Sequence, residues 1–234
     1  MERYLSDYFT EIPEKLIHKS CYISVKRKRL TVSMEDKAID VSFLEACPPK
    51  LTSDTPSILF LHGDAFTAQI WDDIGTLTLL GALGWRAVAI DLPEYGSTRG
   101  GRVYDTAQFI DLVLEGMDME CPVLVSPSMS GRFSIPFLLK HSSDQEQRIK
   151  AFISIAPDNT EQFLIDKRTK DIEIPSFTVY GSKDEEVGGS AARNMVGIHN
   201  QMAYRIAEAG HACYVNESDQ WHLLLYNLLT KLRK

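Results

Sequence analysis

Several features are missing from this 234-residue sequence, and each absence excludes something. No apolar run approaches the roughly 20 residues of a membrane-spanning helix; Ile58–Leu61 and Leu223–Tyr226 are typical of what there is. The four cysteines, Cys21, Cys47, Cys121 and Cys213, form no C-x-x-C pair, and no His/Cys cluster has zinc spacing. A basic excess is lacking too. The formal net charge is −7, which removes the electrostatic basis for a nucleic-acid partner. No G-x-G-x-x-G follows a strand-like run, and no G-x-x-x-x-G-K-[ST] occurs, so nucleotide-binding readings lose their main support. Repeats and low-complexity tracts are absent. The opening residues carry acids where a signal peptide would be basic and then apolar. The expectation is therefore a reducing, intracellular compartment. Asn216-Glu217-Ser218 then matches a glycosylation sequon by chance.

What is present reads as an alternation of short apolar runs and helical patterns. Residues 1–20 are read as an N-terminal arm or short helix, and 21–234 as one domain. Cys21–Val25 and Leu30–Ser33 flank the basic cluster Lys26-Arg27-Lys28-Arg29, which reads as a solvated hairpin turn, with a localisation signal as the alternative. Ile39–Leu44 is a further strand, and 47–56, with three prolines, is a loop. Then come apolar runs at Ser57–Leu61, Arg86–Ile90, Pro122–Val125, Lys150–Ile155, Ser176–Tyr180 and Ala203–Ile206. Between them lie an amphipathic stretch Trp71–Leu83 closed by Gly84, helices over Asp105–Glu115 and Met129–Lys140 (with Pro136 an awkward guest), and one near Ser190–Ile198. Cys121, at the head of one run, reads as a small core residue. The final helix is the clearest: Trp221, Leu224, Leu225, Leu228, Leu229 and Leu232 form one stripe, with Ser218 as N-cap. Strands alternating with helices predict a mostly parallel sheet covered on both faces, with chemistry at the carboxyl ends of its strands.

Three strand ends carry chemistry. In Ser126-Pro127-Ser128-Met129-Ser130-Gly131, a sharp strand-to-helix turn would raise Ser128 above the sheet. Such a turn needs small residues two positions either side, and here both are serine. Ser128 is the candidate nucleophile, and the Met129 amide a candidate oxyanion donor. Asp184, in Val179-Tyr180-Gly181-Ser182-Lys183-Asp184, is the candidate acid. Asp158, after Ala156-Pro157, is a fallback, and Glu185 and Glu186 read as solvated neighbours. His211, in Ala209-Gly210-His211-Ala212-Cys213, is the candidate base. The order Ser, Asp, His is that of the α/β-hydrolases; the trypsin-like and subtilisin-like enzymes use other orders. After the run that opens the alternation, Leu61-His62-Gly63-Asp64-Ala65-Phe66 places the second oxyanion amide at Asp64 or Ala65. His62 there is a packing and hydrogen-bonding residue.

These stretches, with Gly84-Trp85-Arg86-Ala87-Val88-Ala89-Ile90-Asp91-Leu92-Pro93, resemble the α/β-hydrolase domain-containing protein fourteen family from about Ser57 to Trp221. The S-P-S-x-S-G elbow is the most specific part. The resemblance implies an α/β-hydrolase fold with a minimal lid and a triad of Ser128, Asp184 and His211. It implies esterase activity on small acyl esters. For the cytosolic branch it implies lysine deacetylation with the acetyl group passed to coenzyme A, and association with a general transcription factor subunit. The chain departs from the pattern at Glu94, where the family has glycine, and at Asp64, where vertebrate members have an apolar residue. The membrane anchor of one branch is not seen, which favours the soluble one.

The resulting expectation is a serine hydrolase or acyltransferase for short acyl groups, requiring no cofactor, with coenzyme A as an optional acceptor. It would be a monomer, cytoplasmic and also nuclear, with no membrane or nucleic-acid partner. The gap of about twenty residues before Ser176 is too short for a large lid, so an open, shallow pocket is expected. The competing reading is a non-catalytic interaction module on the same scaffold.

Overall fold

The computed structural model describes residues 2–4, 9–35, 37–144 and 147–233. Its centre is a nine-stranded sheet. The strands are β1 (Glu2–Tyr4), β2 (Val25–Ser33), β3 (Ala38–Ala46), β4 (Ser57–Phe60), β5 (Arg86–Ile90), β6 (Val123–Pro127), β7 (Ala151–Ile155), β8 (Ser176–Gly181) and β9 (Gln201–Ile206). Their spatial order is β1-β9-β8-β7-β6-β4-β5-β3-β2. All neighbours are parallel except β2–β3 and β3–β5. This is the mostly parallel α/β-hydrolase architecture that the sequence leads one to expect.

Nine α-helices connect the strands among the described residues: α1 (Glu14–Ser20), α2 (Gln69–Asp73), α3 (Thr76–Leu83), α4 (Thr106–Gly116), α5 (Gly131–Lys140), α6 (Gln162–Ile165), α7 (Ser190–Asn194), α8 (Cys213–Asn216) and α9 (Ser218–Leu232). Pleating sends alternate residues of each strand to opposite faces. Leu59 and Leu61 join α4 and α5 in one core, with Phe109, Ile110, Ile135 and Phe137. Ile58 and Phe60 join α3 and α9 in the other, with Leu77, Leu80, Trp221 and Leu225. Burial on both faces is why the central strands read as unbroken apolar runs.

Several local expectations are corrected. The cluster Lys26-Arg27-Lys28-Arg29 is not a turn but lies inside β2, the edge strand, and the hairpin pairs Val25–Ser33 with Ala38–Ala46. Three of its four charges are held: Arg27 by Ser42 and Gln69, Lys28 by Glu45, Arg29 by Asp40. A charged edge of this kind discourages pairing with another chain. Trp71–Leu83 is two helices, broken where Gly75 turns left-handed at φ +76; Gly84 closes α3 as expected, at φ +92. Cys121 is exposed and carries a positive φ, so it is no core residue. Ser218 is the first residue of α9 rather than its cap. Pro136 does sit inside α5. Its ring removes one helical donor, and the Arg132 carbonyl left over accepts from the Thr106 hydroxyl of α4 at 2.9 Å.

Burial depresses the pKa of two histidines, His62 fully buried and His222 partly so. His62 accepts from the Leu92 N–H at 3.0 Å, and burial holds its pKa below the ordinary value. His222 of α9 lies 2.9 Å from the Thr76 hydroxyl, and burial pushes it down to about 4. A histidine depressed in the folded state binds its proton more readily when unfolded, so its contribution is complete above pH 6.5 and is lost as pH falls toward the folded value. Denaturant unfolding should therefore show stability dropping between pH 6.5 and about 4. His222→Gln should flatten that slope; an unchanged slope would assign the acid sensitivity elsewhere.

Candidate active site

The site lies at the carboxyl end of the parallel strands, where three loops meet. After β6 the chain turns sharply into a short 3₁₀ turn, Ser128–Ser130, which runs into α5. Ser128 sits at φ +47, a left-handed conformation that costs a non-glycine residue about 1 kcal/mol. The turn lifts its side chain off the sheet into partial exposure while Ser126, Met129 and Ser130 stay buried. Two neighbours make this geometry feasible. The Ser128 carbonyl accepts from the Asp158 N–H at 2.9 Å. Gly131 lets that second loop approach, since a Cβ on it would lie 2.1 Å from the Asp158 carbonyl oxygen.

Asp184 follows β8 and opens a single wide turn, with the Gly189 N–H donating to the Asp184 carbonyl at 3.1 Å. Its carboxylate is 9% exposed. Gly188 leaves space for it, because a Cβ there would be 2.9 Å from its Oδ2. His211 lies between β9 and α8. Its loop is tied to the Asp184 loop: the Lys183 N–H donates to the Ala209 carbonyl at 2.9 Å and the Ser182 N–H to the Ile206 carbonyl at 2.8 Å. Gly181 permits the contact, since a Cβ would fall 2.2 Å from the Gly210 carbonyl oxygen. The Asn216 side chain accepts from the Gly210 N–H at 3.1 Å.

The structure brings the three candidates together. His211 Nε2 is 2.9 Å from Ser128 Oγ, and His211 Nδ1 is 2.7 Å from Asp184 Oδ2. With Nδ1–H donating to the carboxylate, Nε2 is left as the acceptor facing the hydroxyl. His211 is 43% exposed, so the site is open to solvent on the imidazole side. The fallback acid is elsewhere: Asp158 pairs with Arg132 at 3.3 Å and contributes its backbone to the elbow. Glu185 pairs with Arg193 at 2.9 Å.

The H-G-D-A-F turn supplies the opposite wall. Gly63 faces the elbow, and a Cβ on it would lie 3.6 Å from Ser128 Cβ. Its carbonyl accepts from Phe66 N–H at 3.0 Å. In a trans peptide the N–H points opposite to the carbonyl, so the Asp64 N–H is directed away from the turn's own hydrogen bond. Ala65 lies one residue further along this exposed turn. Met129, 6% exposed, offers its N–H at the start of the 3₁₀ turn, where a helix has no partner for its first donors.

The two departures from the family pattern belong to one arrangement. Asp64 Oδ1 accepts from the Tyr95 hydroxyl, whose pKa this bond pushes up to about 12. Glu94, just before it, takes the left-handed φ of +74 that a glycine would adopt freely. Tyr95 also stacks edge-on against His62. Asp91, buried beneath, accepts from the Ala68 and Ser97 N–H groups, both at 2.9 Å, and joins this loop to the start of α2, just past the H-G-D-A-F turn. The sequence reading missed Asp91 as an organiser, although an acid at the end of an apolar run is a visible signal. It also missed Ser134, whose hydroxyl lies 2.7 Å from that of Ser126.

Among the described residues, no group of three or more His, Cys, Asp or Glu could hold a metal ion, and no helix is long and apolar enough to cross a membrane.

No family model matches the sequence. Individual relatives do. Protein ABHD14A of Mus musculus is 33% identical over 183 residues, covering 75% of this chain and 70% of that protein. The Danio rerio ABHD14A is 36% identical over 179 residues; there the match spans 64% of the relative's length, just under two thirds. The human protein named "Putative protein-lysine deacylase ABHD14B" is 30% identical over 216 residues, covering 90% of this chain and 99% of that one. Among solved structures, a CIB-like hydrolase from Thermoplasma acidophilum superposes with TM-score 0.72 at 19% identity, covering 89% of this chain and all of that one. Carboxylesterase CesB from Bacillus subtilis gives 0.69 at 14%, covering 92% and 96%. At these identities the structural likeness speaks for the fold. The sequence relatives speak for the family: this chain belongs to the α/β-hydrolase domain-containing 14 family.

Proposed function

We propose that this chain is a serine hydrolase for short acyl groups, working through Ser128, His211 and Asp184, and that its substrates are acylated lysine side chains of proteins. The observation that carries the reading is the continuous contact from Ser128 Oγ to His211 Nε2 and from His211 Nδ1 to Asp184. It is built on a left-handed elbow at the sheet's carboxyl edge. The deacylase name of the ABHD14B relative favours the acyl-lysine assignment. So does the open rim. The insertion between β7 and β8 holds only α6 and a 3₁₀ turn, Lys167–Asp171. Such a rim suits a side chain presented on a protein better than a buried lipid tail.

In the proposed reaction Ser128 Oγ attacks the acyl carbonyl while its proton passes to His211 Nε2. Asp184 steadies the imidazolium and keeps Nδ1 protonated. The amides of Met129 and Asp64 hold the oxyanion, each worth about 3 kcal/mol in comparable sites. Collapse expels the lysine amine, which takes the proton back from His211. Water, or the thiol of coenzyme A, then attacks the acyl-Ser128 ester, with His211 accepting its proton and returning it to Ser128. No metal or redox group enters this sequence of steps.

A fluorophosphonate probe should label the protein at Ser128 and fail on Ser128→Ala. Labelling that persists in Ser128→Ala would move the nucleophile to another residue; absence of labelling from folded wild type would leave only a non-catalytic role for the scaffold. Asp184→Asn should lower ester turnover by about 10⁴-fold through the wrong imidazole tautomer, whereas Asp158→Asn should stay close to wild type. If Asp158→Asn were the damaging change, the acid would have been misassigned. Mass analysis after incubation with an acetyl-lysine peptide separates the acceptors: acetate alone without coenzyme A, acetyl-coenzyme A when it is added. Ester cleavage with no deacetylated peptide would discard the lysine assignment and keep the esterase.

A further inference from the structure

The positions that flank an elbow nucleophile are usually glycine, and here both are serine, with a third serine beneath them. All three side chains, Ser126, Ser130 and Ser134, are fully buried. A hydroxyl carries one hydrogen, and that determines the direction of every bond among them. Ser130 Oγ is 2.7 Å from the Pro127 carbonyl oxygen, which can only accept, so Ser130 donates to it. Ser130 Oγ therefore accepts at 2.9 Å from Ser126. With the Ser126 hydrogen used, its oxygen accepts at 2.7 Å from Ser134. The result is a one-way relay from Ser134 through Ser126 and Ser130 to the carbonyl of the residue preceding the nucleophile.

We propose that Ser134 is a positioning residue: as head of this relay it fixes the Pro127–Ser128 peptide plane, and with it the left-handed backbone of the nucleophile. The backbone at Ser128 is set by two peptide planes. The one after it is anchored by the Asp158 N–H donating to the Ser128 carbonyl at 2.9 Å. The one before it is anchored by the relay. In the second plane the Met129 N–H points opposite to that anchored carbonyl, toward the side where an oxyanion would form. A glycine elbow has no hydroxyls with which to hold the first plane. Here three aligned donors strengthen one another in a dry setting. Ser134 could otherwise have donated to the carbonyl one turn back in its own helix, the common choice for a helical serine; it is turned to Ser126 instead.

This inference rests on Ser128 being the nucleophile, and the test separates the two claims. Ser134→Ala, Ser126→Ala and the double variant are compared on a small acetyl ester, with circular dichroism and thermal midpoints to confirm folding. Each single change should lower kcat about tenfold with KM little altered, because the groups flanking the reacting oxygen lose their alignment rather than the site its shape. The double variant should be no worse than the poorer single, since either cut breaks the same relay. Hydrogen–deuterium exchange of the 128–131 backbone amides should rise in both single variants. Unchanged kcat in folded Ser134→Ala, or losses that multiply in the double variant, would overturn the proposal. Should Ser134→Ala unfold, Ser134→Cys, with its weaker donor, is read by the same criteria. If wild type takes no fluorophosphonate, the nucleophile reading fails by itself; the exchange rates then decide whether the relay holds the turn.

Discussion

The left-handed backbone at Ser128 is the constraint around which the rest of this structure is arranged. A serine does not adopt that conformation by preference. It persists because the surroundings leave no alternative. β6 is buried between β4 and β7, α5 is packed into the core through Phe133, Ile135 and Phe137, and the connection between strand and helix has no residue to spare. The carbonyls on both sides of the turn are hydrogen-bonded, one to Ser130 and one to Asp158. The core thus supports a strained turn, and the turn presents a hydroxyl that would otherwise lie among the strand's buried side chains.

Close backbone approach is the second theme, and at the site two glycines supply it. Gly131 admits the Asp158 loop, and Gly181 admits the histidine loop. Neither has a positive φ; each is needed for space, not for conformational freedom. Conversely, Glu94 takes a positive φ without being glycine, in the same loop as the Tyr95 that binds Asp64. The rim of this chain has exchanged a flexible turn for a polar contact across it.

Much of this was legible in the sequence. The apolar runs marked the parallel strands because burial on both faces removes alternation. The order of Ser128, Asp184 and His211 was readable because each follows such a run. The basic cluster was misread because charge is a poor guide on an edge strand: Lys28 and Arg29 find acids across the sheet in Glu45 and Asp40, which no local pattern reveals. Asp158 follows an apolar run just as Asp184 does, so the sequence keeps it as the fallback acid; what sets it aside is its pairing with Arg132. The serine relay was half visible. Ser126 and Ser130 stood out as replacements, but Ser134 reads as an ordinary helical residue until its neighbours are placed.

The backbone bonds that stitch the Asp184 loop to the His211 loop have a mechanical corollary. Carboxylate and imidazole ride on what is in effect one plate, bolted along the β8–β9 edge, whereas the hydroxyl belongs to another, carried by β6 and α5. Any breathing of the sheet would stretch the joint between the plates and spare the joint within one. The Ser128–His211 separation is then the soft coordinate of this assembly, and the Asp184–His211 separation the stiff one.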